Sequence, residues 1–272
     1  MPELIAHTGM GATLGEWTKA DEIGTEAAAA LELAQAGKRR EFWISPQHRS
    51  LGGAGAFLLF ALAIFVIMHL ASIALNMSAV SFLERASAGA IADIYGEASA
   101  LESNANTLMM TSIGVLVLCA IAYSVFVYTA AWNIDNSHAS GCEFTPGWAA
   151  GWSFVPFANL FMPYKVMKEI WIASHDPARG AAVAPGFLVV WWLSYIIGNL
   201  VSNITDRIVQ TLETPEQIIS ITWWSVGASI LSIGSATVLF VIVRRIIAAQ
   251  AGWTSIPAPP PRAARDPNAP LF

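Results

Sequence analysis

Four runs of this chain, residues 54–77, 108–131, 186–205 and 218–243, contain no aspartate, glutamate, lysine or arginine. At ~1.5 Å per residue each is long enough as a helix to cover the ~30 Å of a bilayer's hydrocarbon core. Hydrocarbon offers no water to bond a bare peptide group, so such runs can only be helices whose backbone bonds close on themselves. The expected class is an all-α integral membrane protein. Composition agrees: 55% of the 272 residues are hydrophobic, 12% are charged and the mean hydropathy is +0.54, outside the habit of soluble domains. The first fifty residues hold no short apolar core of a cleavable signal peptide, so the first run is expected to direct insertion, with the N-terminus cytoplasmic. A net charge of −5 without clustering provides no basic stripe for nucleic acid. Cys119 and Cys142 would sit at different depths and are read as free thiols.

A fifth apolar stretch, GWAAGWSFVPFANLFMPYKVMKEIWIAS at 147–174, does not fit the pattern. Its apolar part, 148–162, falls short of the ~20 residues needed to cross. Pro156 lies inside it and Pro163 at its end. Each lacks an N–H, so in a continuous helix the carbonyls of Trp152 and Asn159 would lose their partners. Basic residues decide its topology. If the segment returns to the side it came from, Lys19, Lys38, Arg39, Arg40, Arg49, Lys165, Lys168, Arg179, Arg244, Arg245, Arg262 and Arg265 share one face, and only Arg85 and Arg207 lie on the other. A full crossing would scatter them. The positive-inside rule therefore favours four transmembrane helices plus a proline-broken re-entrant or interfacial segment, with both termini cytoplasmic.

Within that segment Trp148, Trp152, Pro156, Asn159 and Pro163 recur at spacings of four, four, three and four, which on a helix would form one stripe. The two tryptophans suit the headgroup boundary. An amide in lipid must be bonded, so Asn159 is expected to cap carbonyls freed by Pro156 or to bond a neighbouring helix, with a ligand contact as the other reading. After Pro163, Lys165, Lys168 and Glu169 face one way and Val166, Met167, Ile170 and Trp171 the other, the pattern of an amphipathic interfacial helix. A Lys165–Glu169 pair would contribute only ~0.3 kcal/mol.

The remaining features are plainer. Residues 1–50 form a cytoplasmic region with a short Ala/Glu/Leu-rich helix at 26–37, followed by the topology-setting cluster Lys38, Arg39 and Arg40. Residues 51–250 make the helical membrane domain, and 251–272 a proline-rich disordered tail. Near-helical spacing of apolar residues between 80 and 107 predicts a helical excursion along the outer surface, with Asp93 and Glu97 on its solvated face. His69, alone in an apolar run, is a candidate site, either bonded to a residue such as Ser112 or Asn199 or, as the minor reading, a haem ligand. Asp135, His138, Cys142 and Glu143 match no zinc spacing. Asn199, Ser202 and Asn203, with Ser225, Ser229, Ser232 and Ser235, read first as a closely packed helix pair and second as a polar solute path. No phosphate loop, nucleophile elbow or HExxH motif is present, so neither catalysis nor a cofactor or metal is expected.

Trp132-Asn133, Gly147-Trp148, Gly151-Trp152, Val155-Pro156, Asn159-Leu160, Pro163-Tyr164, Glu169-Ile170-Trp171, Ala173-Ser174, Trp191-Trp192 and Arg244-Arg245 together resemble domain-of-unknown-function family 4328, across roughly residues 50–250. The resemblance implies a helical domain in a bacterial cytoplasmic membrane and carries no activity with it. The sequence supports a non-catalytic multi-pass protein, a scaffold or accessory subunit acting through its amphipathic helix, with the lipid bilayer and other membrane subunits as partners. The alternative is a small-solute channel or transporter in which the proline-broken segment is gate or binding element. Candidate site residues are Trp148, Trp152, Pro156, Asn159, Pro163, Lys165, Lys168, Trp171 and His69.

Overall fold

The structure, a computed structural model, describes residues 47–137, 139, 143–178 and 180–253. The expected N-terminal helix, the cluster at 38–40, His138, Cys142 and the proline-rich tail lie outside these residues.

Among the described residues six α-helices follow in order: α1 Leu51–Ser87, α2 Ile94–Asn136, the short α3 Pro146–Gly151, α4 Met162–His175, α5 Phe187–Ile208 and α6 Pro215–Gly252. Four of them, α1, α2, α5 with its 3₁₀ extension to Thr211, and α6, are long and apolar enough to cross a membrane. Their starts follow from local chemistry. Ser50 accepts the Gly52 N–H, Asp93 the Gly96 N–H and Thr214 the Gln217 N–H, and Pro215 occupies the first turn of α6, where its missing donor costs nothing.

The stretch at 80–107 is helical, but not as a separate surface excursion. It is the upper part of α1 and α2, which run on past the expected spans and turn at 88–93. With 37 and 43 residues these helices reach about 55 and 64 Å, well beyond the hydrocarbon. Asp93 is the cap of α2, and Glu97 is clamped by the Arg85 guanidinium through bonds of 2.6 and 3.2 Å, closing the hairpin.

The four long helices form an arc in which α1 packs on α2 and α6, and α6 packs on α5. Lipid supplies no hydrophobic drive between helices, so close contact depends on small residues. At Gly55 an added Cβ would come within 2.2 Å of Ile247 Cδ1 on α6, and at Gly198 within 3.2 Å of Ser232 Oγ. The serines of α6 are used in packing: Ser235 Oγ donates to the Trp191 carbonyl (3.1 Å), Ser232 Oγ to the Ala228 carbonyl (3.0 Å) and Ser225 Oγ to Thr205 Oγ1 (3.2 Å). Asn199 and Asn203 turn back to their own helix, bonding the carbonyls of Tyr195 and Asn199.

One end of the arc is tied by buried amides. Asn133 is completely buried and exchanges two 2.8 Å bonds with the Arg49 backbone, accepting its N–H and donating to its carbonyl. Asn133 also donates to Gln250 Oε1 (2.9 Å), and Gln250 Nε2 donates to Ser174 Oγ (3.0 Å) and toward the Ala130 carbonyl (3.4 Å). Trp253 Nε1 donates to the Ser174 carbonyl (3.0 Å), and the Arg49 guanidinium lies 4.2 Å from the centre of the Trp132 ring. The entrance of α1 and the ends of α2, α4 and α6 thus meet in one place. Removing one partner there leaves buried groups unpaired, so Asn133→Ala should cost about 2–3 kcal/mol. A clear drop in melting temperature in detergent is expected, whereas Arg85→Ala at the exposed far end should leave it unchanged.

His48 borders this knot, its ring 5.8 Å from that of Trp253, and burial holds its imidazole below the ordinary value of 6.5. The folded state therefore prefers the neutral ring. The stability this preference confers is complete above pH 6.5 and is lost as the pH falls through the depressed folded value. A His48→Phe variant should lose that part of the pH dependence of the melting temperature.

Candidate functional site

From Pro146 to His175 the chain forms a hook. Pro146 starts α3, and Gly151 ends it before Pro156 can enter it. The Trp152 carbonyl, which a helix would have paired with residue 156, accepts instead from the Val155 N–H at 3.3 Å within a 3₁₀ turn, Trp152–Phe154. The chain then reverses at Phe157, whose φ of 63° is the sole positive value among described non-glycine residues. Its neighbours close a three-residue γ-turn, with Ala158 N–H donating to the Pro156 carbonyl at 2.8 Å, a rare and strained geometry for a side chain larger than glycine. A second 3₁₀ turn, Ala158–Leu160, leads to α4, where Pro163 falls in the first turn and removes no bond.

Both ends of the hook lie at the amide-tied end of the arc. The Glu143 N–H donates to Glu169 Oε2 (2.9 Å), Ser174 is bonded by Gln250, and Trp171 meets Phe187 at the start of α5 edge to face at 5.3 Å. The segment is re-entrant, not a fifth span. Arg244 and Arg245 lie toward this end of α6, Lys165 and Lys168 are on the first turns of α4 in the returning arm of the hook, and Arg85 and Arg207 are in the last turns of α1 and α5 at the other end. Near its tip Phe154, Phe157, Leu160 and Phe161 are all exposed, an apolar edge suited to hydrocarbon.

Several expectations for the segment need correction. Trp148, Trp152, Pro156, Asn159 and Pro163 form no common stripe, because the helix ends at Gly151. Asn159 does not mend the backbone: its side chain makes no hydrogen bond among the described residues, while its N–H donates to the Val155 carbonyl at 3.0 Å. The work falls to the 3₁₀ turn and to Trp192, whose Nε1 donates to the Leu160 carbonyl (3.1 Å) from α5. Trp148 is exposed and meets Trp152 in a tilted ring contact at 4.8 Å, and the Trp152 Nε1 is buried without a partner among the described residues. The amphipathic face of α4 does not lie on lipid. Val166, Met167, Ile170 and Trp171 are buried against the bundle, leaving Lys165 and Lys168 exposed. Glu169 bonds the Glu143 backbone, and it forms no ion pair with Lys165.

His69 also departs from expectation. Its Nδ1 is buried with no hydrogen-bond partner among the described residues, and its ring rests on Phe65 at 4.4 Å. Ser112 and Asn199 are engaged with carbonyls of their own helices at 2.7 and 2.8 Å. In an apolar surrounding a polar side chain can satisfy itself on the preceding turn without crossing to a neighbour. Among the described residues no group of three or more His, Cys, Asp or Glu is placed to hold a metal.

What the hook does build is a cavity of about 180 Å³ between itself and the four long helices. Ser153, Phe154, Asn159 and Pro163 close one side. Leu62 and Phe65 of α1, Cys119 and Tyr123 of α2, Trp191, Trp192 and Tyr195 of α5 and Ser235 and Leu239 of α6 contribute to the rest. No lining residue carries a formal charge at neutral pH. Tyr123 and Ser153 are among the lining residues, but their hydroxyl oxygens are themselves buried, without a partner among the described residues. Cys119 Sγ reaches the Ala61 carbonyl at 3.5 Å. Of the sequence-derived candidates only Asn159 and Pro163 lie in this wall. Trp148, Trp152, Pro156, Lys165, Lys168, Trp171 and His69 lie outside it. Tyr123, Tyr195 and Ser153 were missed. The available signal was a phenol in the middle of an otherwise charge-free run, a group that seeks a partner when buried.

Fold and cavity together define a helical membrane protein with a re-entrant segment closing an uncharged chamber. The family model described as Domain of unknown function (DUF4328) matches residues 90–248, and the chain belongs to that family. The match takes in α2, the hook, α5 and most of α6, and leaves α1 outside it. No curated protein and no solved structure matches the chain.

Among the described residues, Trp192 makes the one side-chain hydrogen bond from the long helices to the hook's tip. Trp192→Phe should keep the fold and release the Leu160 carbonyl. Faster amide exchange confined to residues near 155–161 is the expected result, read by hydrogen–deuterium exchange mass spectrometry.

Proposed function

We propose that this protein is a non-catalytic binding component of a cell membrane, an accessory subunit whose working part is the chamber under the re-entrant hook. The observation that carries the reading is the chamber itself: an uncharged cavity lined mostly by aromatic and aliphatic side chains has the lining usual for a small-molecule site. The membrane is read as a bacterial cytoplasmic one, with the Lys165, Lys168, Arg244 and Arg245 end inside. Because α4 spends its apolar face on its own bundle, a partner subunit would meet its polar face, where Lys165 and Lys168 are exposed. The channel or transporter reading draws on the place of Asn159 in the chamber wall. Against it, Ser225 and Ser235 spend their hydroxyls on α5 and Ser232 on its own helix, although Ser232 and Ser235 border the chamber.

Native mass spectrometry after extraction in mild detergent tests the proposal. The wild type should carry a small uncharged adduct and a partner chain. Ala236→Phe, which fills the chamber from α6, should lose the adduct and keep the partner. An adduct that survives Ala236→Phe overturns the chamber as the site, and a particle without a partner under several extraction conditions overturns the accessory role. Solute flux through proteoliposomes would favour the channel.

A further inference from the structure

We propose that the cleft between α2 and α5, on the side of the hook away from the knot, is a blind, water-filled vestibule that admits small hydrophilic solutes. This goes beyond the chamber and does not require it to hold a guest. The arc leaves the cleft open. α2 and α5 are its two end helices, they wall the same chamber, and they are not packed on one another. The hook, whose α4 packs on both, fills only part of the gap. Its tip meets α5 at Trp192, and the last α5 residue in the chamber wall is Tyr195.

Helical register decides what faces the cleft. On α5, Asn199 is four residues beyond Tyr195 and seven beyond Trp192, so it continues the face that walls the chamber, and Asn203 and Asp206 follow at four and three. All three are exposed. On α1, His69 is four beyond Phe65 and seven beyond Leu62, with Ser72 and Asn76 following. On α2, Ser112 is four before Leu116 and seven before Cys119. Another stripe of α5, Val190, Leu193, Ile197, Leu200 and Ile204, is exposed and wholly aliphatic. Lipid thus has its own face on α5, and the amides gather on a different one.

Hydrogen bonding and length select the occupant. A carboxamide offers two N–H groups and an oxygen with two lone pairs. Asn199 and Asn203 each use one N–H on the preceding turn, at 2.8 and 2.7 Å, and their side-chain oxygens accept nothing among the described residues. Acyl chains would leave those groups unpaired, which is costly in hydrocarbon. A partner's spanning helix would need a groove of about 30 Å, whereas the distance from Tyr195 to Asp206 is about 16 Å at ~1.5 Å per residue. Water meets both limits. Polar side chains inside a membrane span characteristically face such a water-filled cavity. The ladder Asp206, Asn203, Asn199 leads in from the end of α5 away from the knot, and the hook closes the other end.

Single-cysteine variants in a Cys119→Ala/Cys142→Ala background test the vestibule through their rates of reaction with a methanethiosulfonate bearing a trimethylammonium group, which needs a hydrated thiolate. Rates are compared in liposomes of the purified chain and in native membrane fragments, where both faces are reachable. Asn199→Cys and Asn203→Cys should react about tenfold faster than Ile197→Cys and Leu200→Cys in both preparations. Uniformly slow reaction means that lipid fills the cleft, and fast reaction in liposomes that is lost in native membranes means that a partner helix does; either result overturns the vestibule. Equally fast reaction on both faces of α5 also overturns it, because that stretch then lies outside the bilayer. Hydroxyl-radical footprinting of the unsubstituted chain in liposomes gives a reading that no variant can spoil by misfolding. Tyr195 and Met109, which is seven residues before Leu116, should be oxidised, while the exposed Met110 and Phe60 on lipid-facing stripes are spared. If Tyr195 is as protected as Phe60, the cleft holds no water and the proposal falls. Neither readout depends on an adduct in the chamber, so the two proposals fail separately.

Discussion

The structure depends on a dry knot of amides at one end. Asn133 and Gln250 have no exposed surface worth the name, and each bonds groups from two or more segments distant in sequence. In a bundle whose helices face lipid, apolar side chains discriminate poorly between arrangements, because hydrocarbon solvates them as well as a neighbour does. A buried amide discriminates strongly, since a misplaced one is left unsatisfied. The knot fixes the register of α1, α2 and α6 against one another, and through Ser174 it fixes where α4 ends. The hook's geometry then follows from its anchored ends and the reach of its chain.

The backbone problem raised by two prolines is solved by dividing the segment into short pieces. Each piece ends where a helix would have needed the missing donor. Pro163 is harmless because it begins a helix, and Pro156 is accommodated because the helix before it has already stopped. What remains is one strained residue, Phe157, and one long-range bond from Trp192. Outside a protein such a backbone could not stay in hydrocarbon. Here it is tolerable because it lines a cavity walled by the long helices.

Much of this was legible from the chain. The charge-free runs place the four long helices, and counting lysines and arginines favours a hook that returns to its own side. The alternation of Val166, Met167, Ile170 and Trp171 with Lys165, Lys168 and Glu169 gives the two faces of α4 correctly. It could not say what the apolar face touches, because burial against protein and burial in lipid leave the same pattern. The same ambiguity hid the continuation of α1 and α2 beyond the bilayer. Asn159 was singled out because polarity in an apolar stretch stands out, whereas Trp192 and Tyr123, polar only at one atom, did not. Which carbonyl meets which indole is decided by tertiary placement, and one sequence holds no record of it.

The way the hook is held has a mechanical consequence. Its ends are pinned at the knot and, among the described residues, one indole bond joins its tip to α5, so a shift of the tip involves a few residues around Phe157 and need not move any long helix. Such a shift would leave unchanged the cross-section that the four long helices present to the bilayer. The hook is thus mechanically separate from the bundle's response to membrane tension and thickness.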